Sequence, residues 1–153
     1  MLRIWRLTKT KYSASAWDGE GAAAVGGRWN SVGTPVVYTS ATLSLALVET
    51  LVHLPSGVLP AYTAIPIELP ESLVTILESS ALPPNWKDEP PPAATQALGD
   101  AWAYRKESVA LKVPSVVVPE EFNYMLNPNH AEFARATIGT PRPFPFDPRL
   151  VVP

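Results

Sequence analysis

Eighteen prolines, distributed from residue 35 to the end of the chain, limit what this sequence can fold into. Proline lacks a backbone donor and clashes inside a helix, so it interrupts both helices and central strands. Short helices and strands joined by many loops are therefore predicted, and a helical bundle is excluded. Strands and two helices in mixed order favour an α+β fold with a mixed β-sheet core.

The chain has 153 residues, which fit a single domain spanning residues 1–153, and 46% of them are apolar, enough for a proper core. Cysteine is absent, which removes disulfides, thiolate metal sites and a Cys nucleophile. The two histidines, His53 and His130, lie far apart in the sequence. No metal site is predicted, because neither a histidine metal site nor a histidine-centred relay has support.

The charge pattern bears on partners and location. The net charge is −2 and the basic residues are scattered, whereas nucleic-acid binders usually carry a basic stripe. Direct nucleic-acid binding, and with it a ribonuclease activity, is therefore disfavoured. The N-terminal residues show no apolar signal-peptide core, and no apolar run is long enough to cross a bilayer. A cytoplasmic protein without membrane contact is expected.

Hydrophobic periodicity and turn residues predict the order of the elements. The predicted strands cover residues 2–7, 36–38, 62–69, 73–77, 109–113, 115–118 and 134–138. The predicted helices cover residues 43–54, capped by Ser40 or Thr42, and residues 95–106. Loops are expected at residues 13–27, 83–92 and 120–130, followed by an irregular tail.

Glu49 lies in the middle of the most apolar predicted helix. Its neighbours one turn away are Leu45, Ala46 and Val52, and this helix is expected to be buried nearly all round. A carboxylate in such a setting is rare unless it is paired or used. Glu49 is therefore a functional group, one half of a buried ion pair with an arginine, or a carboxylate at a subunit contact.

Arg28 and Tyr38 are candidates for ligand contacts. Arg28 follows two glycines, which allow a backbone to approach a ligand, and its planar guanidinium suits phosphate. Trp29, next to it, offers a ring that can stack on a base. Tyr38 ends a short strand before the Glu49 helix, where it either stacks on a flat heterocycle or packs in the core.

Two further polar residues are weaker candidates. Ser115 lacks the Gly-x-Ser-x-Gly surroundings of a hydrolase nucleophile and is otherwise a strand-edge hydroxyl. Asn127 begins an Asn-Pro-Asn-His segment that is by default a turn. Neither residue indicates a function without the rest of the sequence.

The order of five short motifs is more specific than any one of them. They are Gly-Gly-Arg-Trp-Asn, Val-Val-Tyr-Thr-Ser, Ala-Leu-Val-Glu-Thr-Leu-Val-His, Pro-Ser-Val-Val-Val-Pro and Asn-Tyr-Met-Leu-Asn-Pro-Asn-His. This series resembles the RES-domain family, named for an Arg, a Glu and a Ser. Arg28, Glu49 and Ser115 stand at the matching places, and the resemblance runs from Arg3 to about Phe146.

The resemblance implies a fold similar to that of diphtheria-toxin-like ADP-ribosyltransferases. It also implies a toxin of a type II toxin–antitoxin system, neutralised by an Xre-type helix-turn-helix antitoxin, with a homodimer as a further possibility. The implied activity is NAD⁺ degradation by hydrolysis or phosphorolysis. NAD⁺ is then the substrate and no cofactor is retained, which agrees with the lack of a Gly-x-Gly-x-x-Gly motif.

The resemblance assigns roles that suit this chemistry. Glu49 would stabilise the oxocarbenium-like ribose, and Arg28 would hold the pyrophosphate. Tyr38 would stack on nicotinamide, and Ser115 would bond to the ribose or the amide. The remaining candidates for the pocket wall are Trp29 and Asn127.

Two alternatives remain open at this point. One is a toxin that ADP-ribosylates a specific protein. The other is a non-catalytic partner- or nucleotide-binding domain in which Arg28 and Glu49 form a buried ion pair. Replacing Glu49 would unfold the domain in that case, because it would leave a buried charge unpaired.

Overall fold

A computed structural model describes residues 1–55 and 59–151. Its strands are β1 (Leu2–Lys9), β2 (Val37–Ser40), β3 (Tyr62–Leu69), β4 (Val74–Ile76), β5 (Ala110–Pro114), β6 (Phe122–Leu126), β7 (Thr137–Ile138) and β8 (Arg142–Phe144). The α-helices are α1 (Glu20–Val25), α2 (Leu43–Leu51) and α3 (Ala93–Arg105). Short 3₁₀ turns occur at Thr10–Ser15, Glu71–Leu73, Ser79–Ala81, Phe133–Arg135 and Pro148–Leu150.

The strands form one mixed sheet. Its order is β4-β5-β6-β2-β1-β3-β7, with β8 also paired to β3. Only the β4–β5 pair is parallel among the described residues, and the longest ladder joins β1 to β3 from Leu2 opposite Leu69 to Lys9 opposite Tyr62. A mixed sheet with a few helices confirms the predicted α+β class.

Strand β3 is the best predicted element, although it contains Pro66. Pro66 pairs with β1 on one side, while β7 and β8 pair with the residues on either side of it along the opposite edge. No ladder bond from its nitrogen is needed there, so a proline is tolerated within a buried strand. The prediction of a strand over residues 62–69 is confirmed.

Two apolar clusters hold the sheet. One contains Ile4, Val37 and Ile67 from the sheet's middle strands. The other joins Met125 of β6 to Trp29 and to Trp102 of α3. Helix α3 approaches closely at Gly99, where an added Cβ would lie 1.7 Å from the carbonyl oxygen of Trp29, so only glycine fits.

Two predictions for the second half of the chain are wrong. Residues 120–130 were expected to form a loop, but residues 122–126 are β6, inside the sheet between β5 and β2. The buried run that ends in Leu126 is short and lies among polar residues, so its apolar pattern is hard to detect in the sequence.

Residues 115–118 were expected to be a strand, but they form a turn. The amide of Val118 donates to Ser115 Oγ at 3.0 Å and closes that turn.

The helices and the C-terminal tail differ from the prediction in smaller ways. Residues 13–27 contain α1 and part of a 3₁₀ turn, and the tail contains β8. Helix α2 starts as predicted, with Thr42 Oγ1 accepting from the amide of Leu45, but it ends at Leu51. It is buried only along one face, with Val52 just beyond it 56% exposed. None of the described helices is both long and apolar enough to span a membrane.

Candidate active site

A cleft of about 770 Å³ opens where β1 and β2 meet α2. Among the predicted site residues, Arg28, Trp29, Tyr38 and Glu49 contribute to its lining, whereas Ser115 and Asn127 do not. A second hollow of about 520 Å³ adjoins it. Residues far apart in the sequence thus meet at one place on the sheet.

The carboxylate of Glu49 is held through one oxygen. Ser115 Oγ donates to Oε1 at 2.6 Å, and Asn123 Nδ2 donates to the same oxygen at 3.1 Å. In residues 1–55 and 59–151 no donor reaches Oε2, and no fully buried side-chain oxygen or nitrogen lacks a partner. Oε2 is therefore accessible and available to a ligand in the cleft.

Ser115 and Asn123 orient Glu49 from behind. Ser115 is completely buried and follows β5 directly, so its hydroxyl contacts the carboxylate rather than the open cleft. Asn123 lies on β6, and its Oδ1 accepts from Ser40 Oγ on β2 at 2.7 Å. Two strands thus fix the donors that position the helix-borne carboxylate.

The hydroxyl of Tyr38 is already occupied. It donates to Asn30 Oδ1 at 2.6 Å and accepts from the amide of Trp29 at 3.1 Å. Burial raises the pKa of Tyr38 above its ordinary value, so the phenol stays neutral. An added Cβ at Gly27 would lie 2.7 Å from this hydroxyl, which explains a glycine at this position in the cleft wall.

Arg28 faces the segment of residues 86–89. Its Nη1 donates to the carbonyl oxygens of Trp86 at 2.8 Å and Asp88 at 2.7 Å, and its Nη2 pairs with the carboxylate of Glu89. In the described part of the chain no salt bridge joins Arg28 to Glu49. The Arg28–Glu49 ion pair required by the non-catalytic alternative is absent there.

Trp29 and Asn127 belong mainly to the core. Trp29 is only 3% exposed and its ring centroid lies 6.5 Å from that of Trp86. Asn127 Nδ2 donates to the carbonyl oxygen of Ala103 at 3.1 Å, tying the end of β6 to α3. The structure thus places Asn127 away from the cleft.

Sequence reasoning missed Asn123 and Arg6, which both line the cleft. Asn123 lay in the segment wrongly predicted as a loop. Arg6 lies on the same side of β1 as the buried residues Ile4 and Thr8. A cation on the inward-facing side of a strand was the available indication. No group of three or more residues suited to hold a metal ion occurs in residues 1–55 and 59–151.

Fold and site together define a small α+β protein with an accessible carboxylate in a cleft. The RES domain family model matches residues 3–147, and the chain belongs to this family.

Curated relatives and one solved structure are also similar to the chain. The "Toxin Res" of Yersinia enterocolitica serotype O:8 / biotype 1B is 39% identical over 97% of this chain and 99% of its own length. The "Prs ADP-ribosylating toxin" of Sphingobium sp. strain YBL2 is 37% identical over 97% of this chain and 96% of its own. A chain of the M. tuberculosis MbcT–MbcA toxin–antitoxin complex has the same fold, with a TM-score of 0.72 at 18% identity over 93% of this chain and 83% of that chain.

Proposed function

We propose that this chain is the toxin of a toxin–antitoxin system and depletes cytoplasmic NAD⁺ by cleaving its nicotinamide–ribose bond. The observation that carries the proposal is the carboxylate of Glu49, fixed through Oε1 and accessible through Oε2. The names of the full-length relatives support the toxin role.

The chemistry needs one well-placed negative charge. The C–N bond breaks, nicotinamide leaves with the bonding electrons, and positive charge develops on the ribose. Glu49 Oε2 stabilises that charge, and its effect is larger in a cleft than in water. Attack by water gives ADP-ribose, nicotinamide and a proton, whereas attack by inorganic phosphate gives nicotinamide and ADP-ribose with the phosphate bonded to the anomeric carbon of that ribose.

The other residues bind the substrate or position Glu49. Tyr38 presents a neutral ring for stacking on nicotinamide, and Arg28 contacts the pyrophosphate or ribose side of the ligand. Ser115 acts through Glu49, because it contacts the carboxylate at 2.6 Å and lies behind it. NAD⁺ is consumed as substrate in this scheme, and the enzyme retains no cofactor.

The proposed partner is an Xre-type helix-turn-helix antitoxin that covers the cleft, with a toxin homodimer inside the assembly. The likeness in fold to a chain of the MbcT–MbcA toxin–antitoxin complex supports an antitoxin partner, and the Xre type rests on the family resemblance alone. Such a partner would prevent NAD⁺ from entering the cleft.

The test is NAD⁺ loss by the purified protein with and without inorganic phosphate. Glu49→Gln keeps the shape of the side chain and removes its charge, and Glu78→Gln, an exposed residue that lines neither hollow, is the matched control. We expect Glu49→Gln to fold and to lower turnover by about 100- to 1000-fold, the usual effect of removing one preorganised electrostatic group. Equal NAD⁺ loss by the two variants, or none by the folded wild type, would refute the proposal.

A second candidate is transfer of ADP-ribose to a side chain of a specific protein. The observation that favours it is the name of the Sphingobium relative, "Prs ADP-ribosylating toxin", at 37% identity. NAD⁺ labelled in its adenylate half separates the two reactions. Label on one protein band with little free ADP-ribose supports transfer, and free labelled product without a labelled band supports NAD⁺ depletion.

A further inference from the structure

Asn30 is a fully buried polar residue beside the cleft. It follows Arg28 and Trp29 in the chain, it is 0% exposed, and it lines neither of the two hollows. A buried amide costs free energy unless its nitrogen and its oxygen both find partners. The partners of Asn30 therefore show what this residue holds in place.

The side-chain nitrogen of Asn30 is surrounded by backbone carbonyls. Nδ2 donates to the carbonyl oxygen of Ala22 at 2.9 Å, of Thr34 at 3.1 Å and of Ser31 at 3.3 Å. An amide rotated by half a turn would put its oxygen against these three oxygens, where it has nothing to accept from. The amide therefore has a single orientation, and the place of Oδ1 is fixed with it.

The fixed oxygen of Asn30 anchors the hydroxyl of Tyr38. Oδ1 accepts from that hydroxyl at 2.6 Å, and the hydroxyl in turn accepts from the amide of Trp29 at 3.1 Å. A phenol has one hydrogen, and here it is committed to Asn30. The ring of Tyr38, which lines the cleft, is therefore held at its far end by two hydrogen bonds.

The backbone of Asn30 holds the Arg28 loop as well. Its carbonyl oxygen accepts from the amide of Gly27 at 2.9 Å, which closes a turn around Arg28. Gln96 Nε2 of α3 donates to the carbonyl oxygen of Gly27 at 3.0 Å. The turn that carries Arg28 and the ring of Tyr38 are therefore fixed to each other through one buried residue.

We propose that Asn30 is a positioning residue, whose Oδ1 fixes the hydroxyl of Tyr38 and so sets the angle at which the tyrosine ring meets the ligand. That the ligand is NAD⁺ and the ring stacks on nicotinamide rests on the proposed function. Asn30 acts through Tyr38, since it lies behind the lining of the cleft. A misplacement of about 1 Å can cost roughly 100-fold in rate, so a ring without its anchor lowers turnover more than affinity.

A purely structural Asn30 would behave differently. Its bonds to the carbonyls of Ala22, Ser31 and Thr34 hold α1 against the next loop, and their loss would have the same effect whether residue 38 is Tyr or Phe. Action through Tyr38 predicts that the kinetic effect of replacing Asn30 disappears once the hydroxyl of Tyr38 has been removed.

The test is a double-mutant cycle on NAD⁺ cleavage with Asn30→Ala, Tyr38→Phe and the two changes together. We expect each single change to lower kcat by about 10- to 100-fold while KM changes less than about threefold. The double variant should be no more than about twofold slower than Tyr38→Phe, because the two residues act as one unit. Asn129→Ala, at an exposed position that lines neither hollow, is the matched control and should keep wild-type constants.

Three results would overturn the assignment. They are a wild-type kcat in folded Tyr38→Phe, losses in kcat that multiply in the double variant, and a raised KM with unchanged kcat in Asn30→Ala. The first needs no change at Asn30, so the proposal remains testable if Asn30→Ala does not fold.

A measurement without turnover separates this proposal from the proposed reaction. The hydroxyl proton of Tyr38, shielded by its bond to Asn30, should give a slowly exchanging NMR signal in the wild type that is absent from Tyr38→Phe and from folded Asn30→Ala. This pattern without NAD⁺ loss in any protein would reject the reaction and keep Asn30 as the anchor of Tyr38. NAD⁺ loss together with a hydroxyl signal that persists in Asn30→Ala would do the reverse.

Discussion

The two walls of the cleft hold their charged groups in opposite ways. The sheet wall presents Ser40, Glu49 and Asn123, with Ser115 behind Glu49. The loop wall presents Arg28 and Glu89, and the carbonyl oxygens of Trp86 and Asp88 hold Arg28. On the sheet wall, neutral donors on or beside strands fix a carboxylate that makes no salt bridge within residues 1–55 and 59–151. On the loop wall, an arginine is paired with a carboxylate whose side chain is 65% exposed.

The two walls therefore suit different tasks, the positioning of a carboxylate and the binding of an anionic ligand. The sheet wall offers a carboxylate that is fixed through one oxygen and that no cation pairs with in the described part of the chain, which suits a group that must meet a developing charge. The loop wall presents a guanidinium already in contact with Glu89, so an anionic ligand must compete for it. For the proposed reaction we therefore expect turnover to depend on the sheet wall and ligand affinity to depend on the loop wall.

The largest effect is expected for Gly99→Ala, which disturbs the packing of α3 behind the loop wall. Gly99→Ala places a Cβ within 1.7 Å of the carbonyl oxygen of Trp29, the neighbour of Arg28. We expect a loss of about 3 kcal/mol of folding free energy, and thus a fall in Tm of roughly 6–12 °C. Gly21→Ala is the control, because nothing lies within 4 Å of its added Cβ. Equal melting temperatures for the two variants, measured by calorimetry, would show that α3 can move away from Trp29.

The next effect tests the sheet wall. Ser115→Ala removes the 2.6 Å donor to Glu49, and a hydrogen bond to a charged group is worth about 1.5–3 kcal/mol. We expect kcat for NAD⁺ cleavage to fall roughly 10- to 100-fold with little change in KM, since Ser115 does not line the cleft. Ser44→Ala, at an exposed position on α2, should change neither constant. A raised KM with unchanged kcat would mean that Ser115 contacts the substrate directly.

Tyr38 lies between the two walls and gives a pH-dependent prediction. Burial raises the pKa of its phenol in the folded state, so the neutral form stabilises the fold fully below about pH 10, and this contribution is lost as the pH rises further. Tyr38→Phe should lower stability at pH 7 by about 1–2 kcal/mol, because Asn30 and the amide of Trp29 lose their partner. Its unfolding free energy should then decline less steeply than that of the wild type above pH 10.

Denaturant titrations from pH 7 to pH 11 measure that slope. Tyr104→Phe is the matched control, because Tyr104 is 90% exposed and its replacement should leave the slope unchanged. Identical slopes for Tyr38→Phe and the wild type would contradict the effect of burial on this tyrosine.

The sequence predicts elements whose pattern is local. Strand β3 and the start of α2 follow from continuous apolar runs and a Thr42 cap, which need no knowledge of distant residues. Strand β6 escaped prediction because its buried run is short and lies among polar and turn-forming residues. Its place between β5 and β2 is fixed by pairing with strands distant in the sequence.

In the candidate site too, local patterns predict some residues, whereas contacts between distant residues could not be predicted. The apolar setting of Glu49 and the glycines before Arg28 single out these residues, and both line the cleft. The contact of Glu49 with Ser115 joins residues 66 positions apart, and no local pattern encodes it. Arg6 was missed for a similar reason, since only the folded sheet shows that it lines the cleft.

The smallest expected effect tests whether the loop wall sets affinity. Glu89→Gln removes the charge that competes for Arg28 but keeps a side chain of similar shape. Exposed ion pairs are worth about 0.2–1 kcal/mol, so KM for NAD⁺ should fall by no more than about fivefold while kcat stays constant. Glu78→Gln, an exposed residue outside the cleft lining, is the control for steady-state kinetics. An increase in KM would show that Glu89 orients Arg28 for the ligand, and the loop wall would then be as preorganised as the sheet wall.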